Sequence, residues 1–83
     1  MKNLNLYLDR VNKFNAIFGI PELVVGKDNQ RIADKLDSDL SPENLTCDGE
    51  LSRSAVQAKY KLYTAAAKEL KALDPSVTFY EFN

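Results

Sequence analysis

The sequence predicts a small single α+β domain: three main helices and a short one around a minimal two-stranded sheet. Three observations predict it. Apolar residues recur at steps of three and four over residues 4–18 and again over 56–73. Two short runs, "ELVVG" at 22–26 and "SVTFYEF" at 76–82, are rich in β-branched and aromatic residues. The chain has 83 residues and one cysteine, so no internal disulfide can staple it and one core must hold it. If the two runs do not pair, the same pattern gives a mainly α domain.

The first helix is the clearest element. Leu4, Tyr7, Leu8, Val11, Phe14, Ile17 and Phe18 share one face, long and apolar enough to be the main wall of the core, with Asp9, Arg10, Asn12 and Lys13 opposite. Gly19 can take the left-handed conformation past the last turn, Ile20 can fold back, and Pro21 blocks continuation. "ELVVG" then reads as a short strand. In "KDNQRIADKLDSDL", residues 27–40, Ile32, Leu36 and Leu40 recur at steps of four beside Ala33, and Asp28 or Asn29 is placed to cap a helix. A hairpin turning at "GKDN" is the alternative, because Asp and Asn tolerate turn geometry.

Ser41, Pro42 and Glu43 form a helix-start signal, and Gly49 ends a short helix two turns on. Ser52 or Ser54 caps the longest helix, which runs through "AVQAKYKLYTAAAKELKALD" to Asp74, where Pro75 stops it. Val56, Tyr60, Tyr63, Ala67 and Leu70 form its packing seam, widened by Ala66 and Leu73. Ala65 to Ala67 allow close approach of another backbone. "SVTFYEF" is then a terminal strand pairing with "ELVV". It places Val77 and Phe79 on one face and Thr78, Tyr80 and Phe82 on the other.

The composition is that of a globular chain: 45% hydrophobic and 28% charged. The N-terminal "MKNLNLYLDRVNKFN" is too interrupted by polar residues for a signal peptide, and no apolar run reaches membrane-spanning length. A lone thiol fits a reducing compartment. The expectation is a cytoplasmic protein with no membrane contact.

The formal net charge of −1 hides an asymmetry. Asp34, Asp37, Asp39, Glu43, Asp48 and Glu50 face a single base, Lys35, between residues 34 and 50. Arg53, Lys59, Lys61, Lys68 and Lys71 face a single acid, Glu69, between 51 and 73. Mutual screening accounts for the pattern, and so does a surface with a sign.

The acidic stretch invites a metal reading that fails on inspection. Asp37, Asp39 and Ser41 have the spacing of the first ligands of an EF-hand. Pro42 then stands where the loop needs a turning Gly, and Asp48 where it needs a bidentate Glu. With no histidine and one cysteine, a zinc site lacks ligands. Cys47 has no histidine to activate it and is surrounded by acids that raise a thiol pKa, so it reads as a packing residue. No glycine-rich nucleotide loop is present, and a chain this short has little room for a substrate cleft. The expectation is no enzyme, no catalytic residue, no cofactor and no metal.

What remains is binding. Asp37, Asp39, Glu43, Asp48 and Glu50 form the first candidate contact surface, because carboxylates can occupy a partner site that takes phosphates. Tyr80 and Phe82, at the edge of the terminal strand, form the second. The alternative is a nucleic-acid accessory role for the basic stripe of Arg53, Lys61, Lys68 and Lys71, which is also the ordinary solvated face of an amphipathic helix. A helix-turn-helix fits poorly, since the long span from Ser38 to Ser52 stands where a tight turn belongs. Homodimerisation through the long helix or the edge strand is a third reading.

Residues 44–70, "NLTCDGELSRSAVQAKYKLYTAAAKEL", carry a Leu-Thr-x-Asp-Gly-Glu turn followed by a Ser/Arg-rich start to a Lys/Ala-rich helix. This third of the chain resembles small uncharacterised accessory proteins of tailed bacteriophages. The resemblance implies a compact partner-binding protein, such as an inhibitor of a host enzyme, a blocker of a defence system or a transcriptional regulator. It supplies no site residue. The functional expectation is a viral modulator that binds a host protein through its acidic surface.

Overall fold

A computed structural model of the chain describes residues 1–41, 44 and 53–80. Within them there are three α-helices: α1 (Lys2–Ile17), α2 (Asn29–Leu40) and α3 (Arg53–Leu73). No described residue is in a strand. The α+β expectation is corrected to a mainly α domain. The expected short helix over 41–49 lies outside the described residues, apart from Ser41 and Asn44.

α3 is the central element, and both α1 and α2 pack on it. Ala66 and Ala67 explain how: both are fully buried, and their small side chains let two backbones come close. Leu4, Tyr7, Leu8 and Val11 come in from α1, and Ile32, Ala33 and Leu36 from α2. Leu70 closes the centre, with Leu23, Val77 and Phe79 from the connecting and terminal segments. Burying each of the large side chains stabilises the fold by about 1.5–3 kcal/mol before entropy is counted.

The helix boundaries have local causes. α1 stops in a Schellman turn: the Gly19 amide donates to the Ala16 carbonyl and the Ile20 amide to the Asn15 carbonyl. Gly19 takes φ +69° there, which a glycine adopts without steric cost. α2 is a helix, so the hairpin alternative falls. Asp28 is its N-cap residue, but no side chain makes a capping hydrogen bond there. Asp28 Oδ2 accepts the Val24 amide at 2.9 Å and Asn29 Oδ1 the Gly26 amide at 2.7 Å, which fastens the preceding turn instead. α3 ends at Leu73, one residue before the Asp74-Pro75 pair.

The two expected strands are extended segments, each clamped by an amide side chain of a helix. Asn12 of α1 accepts from the Leu23 amide at 2.8 Å and donates to the Leu23 carbonyl at 3.1 Å. Gln30 of α2 does the same to Thr78, accepting from its amide and donating to its carbonyl, both at 3.0 Å. A carboxamide carries the same donor and acceptor as a peptide unit, so each clamp satisfies one residue as a neighbouring strand would. Among the described residues, "ELVV" and 76–80 form no strand pairing. The alternation still decides the faces: Val77 and Phe79 are buried, while Thr78 and Tyr80 are exposed.

The terminal segment is tied down along its length. Asn29 Nδ2 donates to Asp74 Oδ2 at 3.0 Å, and Lys71 Nζ donates to the Pro75 and Val77 carbonyls. The Tyr80 amide donates to Asp37 Oδ2 at 2.6 Å. Residues 74–80 therefore run along α2 in the same direction as the helix.

Candidate functional site

Three one-turn pairs, one from each helix, meet at an open groove of about 320 Å³. α1 supplies Arg10 and Phe14, α2 supplies Lys35 and Asp39, and α3 supplies Lys59 and Tyr63. Each pair is a base with a second residue four positions on, so each stacks on one helix face. Val11 of α1 also lines the groove.

Asp39 and Tyr63 of this lining are held in a network with Tyr7. The Tyr7 hydroxyl donates to Asp39 Oδ2 at 2.7 Å, and Lys35 Nζ pairs with Asp39 Oδ1 at 3.3 Å. Tyr63 meets Tyr7 edge-on, with ring centroids 5.1 Å apart and planes at 76°. Burial, the hydrogen bond to Asp39 and the charge of Asp39 all push the Tyr7 phenol far above its ordinary pKa. Burial and Asp39 also raise Tyr63, and the Arg10 guanidinium offsets part of this. Both phenols stay protonated through the biological range, so neither supplies a base or a nucleophile.

The cations are unequal. Lys35 is matched by Asp39. Among the described residues, neither Arg10 nor Lys59 has an ion-pair partner. The groove therefore presents an excess of positive charge beside aromatic walls.

One wall continues onto an apolar patch. The rings of Phe14 and Phe18 lie 5.0 Å apart, and Phe14, Ile17 and Phe18 are 59%, 78% and 64% exposed. The apolar stripe of α1 thus runs about two turns past the core that its first half fills. The expectation that Phe14, Ile17 and Phe18 join that core is corrected. Tyr60 and Leu73 of the expected α3 seam are also exposed.

The residues expected to bind a partner fall in different places. Asp37 is 5% exposed on the inner face of α2, where it takes the Tyr80 amide. Asp39 is partly buried and engaged on both oxygens. Tyr80 projects outward at 82% exposure, far along the chain from the groove pairs. Glu43, Asp48, Glu50, Phe82 and Cys47 lie outside the described residues. Of the basic stripe, Arg53, Lys61 and Lys68 are exposed, while the Lys71 ammonium is held by the terminal segment. Among the described acids, Asp37 meets the Tyr80 backbone and Asp39 lies at the groove.

Sequence reasoning missed Arg10, Lys59, Phe14 and Phe18 as a set. The signal was present as three separate i,i+4 pairs, but only the packing of α1 and α2 on α3 aims them at one space. Among the described residues no cluster of His, Cys, Asp or Glu could hold a metal ion, and no helix is long and apolar enough to cross a membrane.

No family model, no curated protein and no solved structure matches the chain.

Proposed function

We propose that this chain is a small protein-interaction module whose contact face is the outer half of α1 together with the groove beside it. One observation carries the reading: Phe14, Ile17 and Phe18 form a contiguous exposed apolar surface at the end of a helix whose other half is core. Contiguous apolar surface of this kind marks interaction sites, and aromatic side chains are its usual anchors. Asp37 and Asp39 are engaged within the fold, so the reading moves from the acidic stretch to α1. By the resemblance of residues 44–70, the partner is a host protein and the role its modulation. The lone cysteine favours a reducing cytoplasm. The role needs no catalytic group or cofactor.

The test is affinity capture from bacterial lysate with and without nuclease treatment, read by mass spectrometry, with wild-type and Phe14→Asp/Phe18→Asp baits side by side. Both positions are exposed, so circular dichroism should show the variant folded. A host protein captured by wild type and lost with the variant supports the reading. Equal capture by both baits removes the α1 face. Capture that disappears with nuclease transfers the reading to the basic stripe of Arg53, Lys61 and Lys68.

A further inference from the structure

We infer that the occupant of the groove is an acidic, amphipathic protein segment, with its carboxylates on Arg10 and Lys59 and its apolar side chains on Phe14 and Phe18. This rests on the interaction reading above and goes further, because it states the chemistry of the partner.

Charge complementarity is the argument. The groove holds three cations and one anion, and the anion is spent on Lys35 and Tyr7. Arg10 and Lys59 are left to face outward from two different helices, without a partner among the described residues. A carboxylate entering there gains two charge-assisted contacts, and the Arg10 fork suits it geometrically. A basic segment meets like charge on both sides, which costs more than its apolar contacts return.

The apolar half of the argument selects protein over nucleic acid. The groove is walled by Val11, Phe14 and Tyr63, and Phe14 carries the apolar surface on to Phe18. A phosphate backbone would need a row of cations and would find two, Arg10 and Lys59, beside the rings of Phe14 and Tyr63. A helix carrying Glu and Leu at steps of three and four presents both chemistries on one face.

The carboxylate and apolar contacts can be separated by experiment. Fluorescence anisotropy is measured with a labelled helical peptide of Leu and Ile flanked by Glu, its Lys-for-Glu counterpart, and single-stranded and duplex oligonucleotides. The proteins are wild type, Arg10→Glu/Lys59→Glu, the milder Arg10→Gln/Lys59→Gln, and Phe18→Asp, each shown folded by circular dichroism. The expected result is that wild type prefers the Glu peptide by about tenfold or more, with the preference falling as salt rises. The Gln pair loses the preference and the Glu pair reverses it. Phe18→Asp weakens both peptides.

Equal binding of the two peptides to wild type, lost in Phe18→Asp, overturns the acidic assignment and leaves the interaction reading standing. Binding of neither peptide, or binding indifferent to Phe18→Asp, counts against both. Oligonucleotide binding tighter than the Glu peptide overturns the inference in favour of phosphate. A Glu-peptide preference that appears only in Glu43→Gln/Asp48→Gln/Glu50→Gln overturns it in favour of the chain's own acids.

Discussion

The Tyr7 hydroxyl of α1 donates a 2.7 Å hydrogen bond to Asp39 Oδ2 of α2, and this bond joins two helices that each lean on α3 rather than on each other. It engages Asp39, a residue of the groove lining, which is therefore not a free surface acid. Tyr7 is 1% exposed, so its hydroxyl has no water to fall back on.

Removing either partner should therefore show as lost stability. Asp39→Ala leaves a buried hydroxyl without its acceptor, and urea denaturation should read a loss of about 1–3 kcal/mol. Tyr7→Phe deletes the donor and keeps the ring, at about 1–2 kcal/mol. Asp39→Lys should cost more than Asp39→Ala, because it sets an ammonium beside Lys35. A midpoint for Asp39→Lys equal to wild type would show that the bond carries no load.

Glu69 is a cap supplied from another helix. α1 begins without a side-chain cap of its own, and Glu69 Oε1 of α3 accepts the Asn3 and Leu4 amides, both at 3.1 Å. Burial opposes its ionisation, but the Leu4 and Asn3 hydrogen bonds outweigh burial and hold its pKa below the usual glutamate range. A lowered acid stabilises the fold above its unfolded value and loses that contribution as pH falls through its folded value. Wild-type stability should thus decline below about pH 4.3. Glu69→Gln should flatten that decline, and Glu69→Ala should cost about 1 kcal/mol at neutral pH. An unchanged acid limb in Glu69→Gln would assign the decline to other acids.

Asp74 adds to the same acid limb. Ser76 and Asn29 hold its carboxylate by hydrogen bonds and keep its pKa low, so protonation loosens the start of the terminal segment. Asp74→Asn should lower the amide protection factors across 76–80 at neutral pH and make them less sensitive to acid. Protection factors that still fall in acid as steeply as in wild type would contradict this.

The Gln30 clamp makes its own prediction. Gln30→Ala removes both hydrogen bonds to Thr78 at once and should cost about 1 kcal/mol, since Thr78 is exposed and water replaces much of the loss. The sharper readout is amide exchange at Thr78, which should rise about fivefold or more while core amides stay protected. Phe79→Ala, which empties a core position, should cost about 3 kcal/mol globally. If Gln30→Ala and Phe79→Ala both affect all amides alike, the terminal segment and the core are one cooperative unit.

The three helices were legible in the sequence, and so was part of their inner faces. Leu4, Tyr7, Leu8 and Val11, like Ile32, Leu36 and Leu40, fall at helical spacing and are buried, but Phe14, Ile17, Tyr60 and Leu73 share the same spacing and stay exposed. The sequence by itself also determined where α1 and α3 stop, because Gly19 and Asp74-Pro75 act through their own backbones. The inward position of Asp37 was there to be read, since it lies one turn beyond Ala33 on the buried stripe. Its type suggested surface, and the Tyr80 amide, 43 residues away, is a partner that helps make its burial tolerable. Tertiary structure decided the rest. Alternation in "ELVV" and "VTFY" specified which side chains go inward, but backbone hydrogen bonds can be met by a strand or by a side-chain amide. Asn12 and Gln30 reach the segments first because α1 and α2 pass beside them. The groove was decided in the same way: Arg10, Lys35 and Lys59 belong to three separate helices, and a shared field exists only once α1 and α2 have packed on the small face of α3.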